Sequence, residues 1–165
     1  MSDQLDKDRA IRKQQDEEYA ASLAKDKARH EEKVKKQIAE IESNERRKTI
    51  EQYREKLTDL KTSGNLRILV RYPNGSREIF HFSENDPIEK LFDAIISKPF
   101  CPAYFYAKSI RPSLPIKCYP KWYTEVLSKE FPEQNENVSA SLAQSMTIGQ
   151  HSIQNDFIIF INAFH

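Results

Sequence analysis

The residues of this chain whose side chains could do chemistry near neutral pH are two cysteines and four histidines, and their placement argues against catalysis. A Cys–His hydrolase needs a thiolate with an imidazole base brought beside it. Cys101 stands between Phe100 and Pro102, and Cys118 lies in the apolar run Ile116-Lys117-Cys118-Tyr119, settings that suit packing. His30, His81, His151 and His165 are scattered. None has a cysteine or carboxylate at metal-ligand spacing, so no metal site is expected. Three glycines in 165 residues leave no phosphate-cradling loop and no cofactor signature. The chemistry that remains is recognition. Arg67 and Arg71 alternate with apolar residues along a strand-like run and so point away from them. Arg71 is either a solvated charge on a sheet face or a contact residue.

Charge balance narrows the partner. Lys+Arg number 26 against Asp+Glu 25, which gives no global reason to expect nucleic acid or an anionic membrane. Charged residues make up 31% and apolar ones only 38%, so part of the chain is expected to lie outside any core. No apolar signal segment follows Met1, and no run reaches membrane-spanning length. Two thiols that fit no disulfide framework suit a reducing compartment, so a soluble cytoplasmic or nuclear protein is expected. In that setting the sequon Asn137-Val138-Ser139 is idle.

The elements that would hold Arg71 follow from periodicity. From Asp3 to about Lys61 there is neither proline nor glycine, and Glu, Lys, Arg, Gln and Ala dominate, which predicts one long polar helix. Val34/Ile38/Ile41 and Ile50/Tyr53/Leu57/Leu60 follow three-four spacing, but the step from Ile41 to Ile50 breaks the stripe. A solvated single helix, a segment that folds on contact, and a coiled coil all remain open. The last part, Ile50 to Leu60, has the best claim to dock on a neighbouring surface. Thr62-Ser63-Gly64-Asn65 ends the helix, giving a charged helical region 1–62 and a domain 63–165.

Within that domain Leu66–Tyr72 and the run to Phe82 predict a hairpin, with Asn74-Gly75 as a type I′ turn. Asp86 is expected to cap a helix with Pro87 at its first position and Glu89 completing a capping box. Ile88, Leu91, Phe92, Ile95 and Ile96 then form one apolar face. Tyr104–Ala107 reads as a third strand and Ile116–Tyr119 as a short fourth. Trp122 to Leu127 reads as a helical turn or more, and Glu133–Asn137 as exposed loop. Asp156–Asn162, apolar on both faces, predicts a central, covered strand. Hairpin, crossing helix and buried last strand make an α+β fold of β-grasp layout.

Leu66-Arg67-Ile68…Arg71-Tyr72-Pro73-Asn74-Gly75, Phe82 and Leu91-Phe92-Asp93-Ala94-Ile95 resemble the opening of a UBX domain, a ubiquitin-like β-grasp module. Thr147–Ile153 and Asp156–Ile159 are similar to its closing segment. Gln14–Asp26 resembles the helix preceding the domain in the FAS-associated factor branch. The resemblance implies an adaptor, not an enzyme. Such an adaptor docks on the N-domain of the AAA+ ATPase valosin-containing protein and reaches ubiquitinated clients indirectly, in ubiquitin-dependent protein degradation. In the family, a first-strand arginine and a Phe-Pro-Arg loop grip the ATPase. Arg71 falls at the strand position. The loop position falls on Arg111, Pro112 and Ser113, where Arg111 stands in place of the aromatic residue and Ser113 in place of the basic one. Tyr119-Pro120-Lys121 is a chemically closer copy of the loop and stays open as the alternative. So do a ubiquitin-like scaffold or a coiled-coil interaction protein without ATPase binding.

Overall fold

The computed structural model describes residues 1–144 and 146–165. Two compact units, Met1–Glu45 and Arg46–His165, divide the chain. Helix α1, Ser2–Lys56, supplies all of the helical structure of the first unit and the opening turns of the second. Every side chain through Glu42 is exposed. With no core to lean on, that stretch is held by helix-forming residues and by pairs such as Glu32–Lys36, 2.8 Å apart. No helix among the described residues is long and apolar enough to cross a membrane.

The second unit is built on a sheet. Strand β1, Leu66–Arg71, pairs antiparallel with β2, Arg77–Phe82, and parallel with β4, Phe157–Ala163, which pairs antiparallel with β3, Phe105–Ser109. The order is β2-β1-β4-β3, so the strand last in sequence is central, as its apolar run predicts. Period-two alternation sends Leu66, Ile68, Val70, Phe80, Phe82, Ile159 and Ile161 to one buried face. Helix α2, Ile88–Ile96, packs its apolar face here, with Ile88, Leu91, Phe92, Ile95 and Ile96 all buried. Helix α3, Lys121–Glu130, adds Tyr123 and Leu127.

The last turns of α1 belong to this core. Ile50 is 0% exposed. The Tyr53 hydroxyl donates to Asp93 Oδ1. Arg54 Nη2 donates to the carbonyls of Cys101 (2.5 Å) and Pro102 (2.9 Å), and Arg46 lies 2.9 Å from Glu130. The helix stops at Lys56, short of the expected Lys61. There the Thr58 hydroxyl donates back to the Glu55 carbonyl (2.7 Å), and the chain continues in loose turns.

Several local expectations are corrected. The hairpin turn is not type I′. Gly75 alone of the pair has positive φ (+88°), and its N–H bonds the Tyr72 carbonyl at 3.0 Å. Pro73 suits the second position of that turn, leaving a three-residue loop closed by Tyr72 and Ser76. Asp86 does not cap α2. The cap residue is Pro87, while the Asp86 carboxylate accepts from Ser83 N–H (2.8 Å) and pairs with Lys90 (3.2 Å). Ile116–Tyr119 is not a strand. Only single bridges form at Pro115 and Tyr119, because Pro115 and Pro120 flank the segment without N–H donors. Residues 132–140 are helical, a 3₁₀ turn followed by α4, Asn135–Ala140, pinned by buried Val138. Finally, β4 is covered on one face only, since Ile158 is 38% exposed on the other.

Replacing Ile50 by alanine should lower unfolding stability by about 2–5 kcal/mol, the cost of a cavity in a packed core. Ile38→Ala, on the solvated part of α1, should stay within about 0.5 kcal/mol. Urea denaturation of the two variants makes the comparison. Burial raises the Asp93 carboxyl pKa, and the Tyr53 hydrogen bond opposes that rise by favouring the carboxylate. A carboxyl raised on folding loses stability as pH rises through its unfolded and then its folded value. Tyr53→Phe removes the opposing bond, so its destabilisation should be greater at pH 7 than at pH 4.

Candidate partner-binding site

Alternation that buries one sheet face projects the other residues outward. From β1 these are Arg67, Leu69 and Arg71. Register aligns them with their neighbours. Ile79, Leu69 and Ile158 form one row across three strands, and Arg77, Arg71, Phe160 and Lys108 form the next across all four. The Arg71 guanidinium lies over the Phe160 ring, 5.3 Å from its centroid. This cation–π contact holds the arginine against the sheet. Its Nε is buried and has no hydrogen-bond acceptor among the described residues.

The segment after β3 is a braced loop. Ser109 N–H donates to the Leu114 carbonyl (3.0 Å), and its hydroxyl donates to the Pro112 carbonyl. Ile116 N–H donates to the Ala107 carbonyl (2.9 Å). The Arg111–Pro112 peptide bond is cis. The residues at the tip, Ile110 to Pro115, are all exposed, Ile110 at 51%. A loop already tied to its own strand gives up little conformational freedom when a partner docks.

Arg71 and Arg111 line one groove of about 570 Å³, with Ile110, Ile158 and Phe160 among its other walls. Pro112 and Ser113 sit on the same loop but open elsewhere. Pro112 lines a groove with Ile153 and Phe157, and Ser113 one with Tyr106 and Phe164. Sequence reasoning therefore named both arginines and missed Ile110 and Phe160. Phe160 was hidden by the assumption that β4 is covered on both faces; its outward alternation with Ile158 was the available signal. Tyr119 and Pro120 are buried, and the Tyr119 hydroxyl donates to the Phe105 carbonyl, so Tyr119-Pro120-Lys121 presents no aromatic anchor.

Electrostatically the groove holds two arginines, Arg71 and Arg111, and one carboxylate, Asp156. Arg67 pairs with Asp156 at 3.2 Å. Among the described residues Arg71, Arg77, Lys108 and Arg111 have no carboxylate within ion-pair distance. The groove thus places two guanidinium forks beside apolar Ile110, Ile158 and Phe160, with Asp156 and Asn155 on its wall.

The other chemically capable side chains lie apart from it. Burial pushes the Cys101 thiol up to about 12, only partly opposed by Arg54, and raises Cys118 as well. Burial, with Lys117 nearby, lowers the His151 imidazole pKa. Among the described residues no three His, Cys, Asp or Glu side chains gather as a metal site.

Residues 60–106 match the UBX domain family. Over 157 residues the chain is 45% identical to UBX domain-containing protein 5 of Caenorhabditis elegans, an alignment spanning 94% of this chain and 90% of that one. The chain belongs to the UBX domain proteins. The family match ends within β3, so Arg71 lies inside it, while the Arg111 loop and β4 lie beyond it. UBX domains have a ubiquitin-like fold, and the sheet with α2 across it is of that β-grasp kind. UBX domain proteins are adaptors, generally cofactors of the AAA+ ATPase valosin-containing protein.

The cysteine environments of this UBX protein make a direct prediction. Thiols that are buried and held protonated react slowly. A colorimetric disulfide reagent should leave Cys101 and Cys118 unmodified in the native protein over minutes and modify both in guanidinium chloride.

Proposed function

We propose that this UBX protein docks on the N-domain of valosin-containing protein through Arg71 and the Arg111-Pro112-Ser113 loop. It would thereby link the ATPase to ubiquitinated clients in ubiquitin-dependent protein degradation. The observation that carries the reading is the shared groove, where Arg71 from β1 and Arg111 from the loop meet beside exposed Ile110. Arg71 is pre-positioned on Phe160, and the loop is braced by Ser109, so both halves of the grip are set before a partner arrives. Pro112 and Ser113 belong to the same exposed loop, with Ser113 on the side of Tyr106 and Phe164. Cys101 and Cys118, free and buried, suit work in the cytoplasm or nucleus.

Calorimetric titration of the isolated ATPase N-domain with the full chain tests the reading. Saturable binding is expected. Arg71→Ala should weaken it about 10- to 100-fold, the range of an interfacial arginine hot spot. Arg111→Phe combined with Ser113→Arg should tighten it, because an aromatic anchor and a fork donor are the residue types that dominate interfaces. Absence of any binding by the native chain overturns the reading, and an affinity unchanged by Arg71→Ala removes Arg71 from the site.

A further inference from the structure

The two edges of the sheet are treated differently. At β3 the fold covers its own backbone. Phe105 N–H donates to the Tyr123 hydroxyl (3.1 Å), the Phe105 carbonyl accepts from Tyr119, and Ala107 and Ser109 bond the returning loop. At β2 nothing comparable exists. Tyr72 N–H bonds the Ser76 carbonyl at 2.9 Å, which fixes the ladder so that Glu78, Phe80 and Phe82 bond to β1. The N–H and C=O groups of Arg77, Ile79 and His81 therefore face outward, and none has a protein partner among the described residues.

Of the usual protections this edge keeps only charge, at Arg77 and Glu78. It has six residues in unbroken register with β1, hence no bulge, and it contains neither proline nor lysine. Ile79, 44% exposed, stands in its middle. Only one end is closed. Gly64, at φ +154°, lies so near that a Cβ there would fall 2.0 Å from the Phe82 carbonyl carbon. The open stretch Arg77–His81 is about 17 Å long, enough for a five-residue strand.

Alongside it runs a groove of about 510 Å³. Leu57, Leu60, Phe80 and Pro99 are among its lining residues. Its charged lining residues, Lys98 and Glu78, are 3.6 Å apart and offset each other. An uncharged strand with alternating apolar residues matches both demands. Its backbone would complete the ladder, and every second side chain would enter the groove.

We propose that the β2 edge is a strand-addition site for an extended, uncharged, apolar-alternating segment of a partner protein, separate from the Arg71–Arg111 groove. The partner strand lies antiparallel or parallel to Arg77–His81, and backbone hydrogen bonds supply its register.

The probe is the peptide acetyl-Thr-Val-Ile-Val-Thr-amide, titrated into the isotopically labelled full chain and followed by amide NMR and hydrogen exchange. Binding should slow exchange at Arg77, Ile79 and His81 by at least about tenfold. Peptides N-methylated at single positions should lose binding at every second residue, because only alternate N–H groups face β2. Ile79→Pro removes an outward donor and none of the bonds to β1, so it should abolish binding while circular dichroism stays unchanged. If that variant fails to fold, the N-methyl series still decides. Overturning results are no saturation at millimolar peptide, shifts confined to Arg71, Arg111 and Phe160, or loss of binding without alternation. Self-pairing of the chain through β2 that excludes the peptide, seen as a concentration-dependent dimer, would overturn it equally.

Discussion

Phe92 is the contact on which the domain depends. Its ring lies 5.8 Å from Phe105 on β3, 4.8 Å from Tyr123 and 6.1 Å from Trp122 on α3, 6.0 Å from Tyr119, and 6.3 Å from Tyr53 on α1. One side chain of α2 thus joins the sheet, the second helix and the end of the first. Aromatic rings bury large areas and prefer offset or edge contacts, which suits a junction where elements arrive from several directions. The polar atoms at this junction are satisfied at its rim, by Tyr53 on Asp93 and by Tyr123 on the Ala103 carbonyl. Both outer features, the arginine groove and the open strand edge, sit on the sheet that this cluster backs.

Much of that frame was legible from spacing. The three-four repeat of Ile88, Leu91, Phe92, Ile95 and Ile96 marked a helix that buries a single face, and it does. The apolar run at 157–161 marked a central strand. What spacing could not report was coverage. An apolar residue facing solvent and one facing a helix look alike in sequence, so Ile158 and Phe160 were read as core when they form surface. Tertiary context also overrode local chemistry at Asp86, whose carboxylate serves the Ser83 turn and Lys90 in place of the helix end. Proline flanks defeated the short strand at 116–119, although its alternation was sound.

The site was half legible. Outward alternation marked Arg67 and Arg71 alike, and the family resemblance singled out Arg71 together with Arg111, Pro112 and Ser113. Their spatial relation required the sheet order, because β1 and β3 are not neighbours and meet the groove only across β4. Phe160 lies in between, and that intermediate strand turns two distant arginines into one surface. Ile110 stands beside them because the loop folds back onto Ser109, a hydrogen-bond pattern with no periodic signature.

The central position of β4 has a consequence for how the protein is made. Its strand follows every other element in sequence yet joins the two halves of the sheet. On the ribosome the β1–β2 hairpin, α2 and β3 therefore emerge before the strand that connects them. Until residues 157–163 arrive, β1 and β3 each carry an unpaired inner edge. Non-local pairing of this kind slows folding and exposes strand edges to other chains. The interval between the emergence of β3 and that of β4 is the one in which these two edges stay open to other chains.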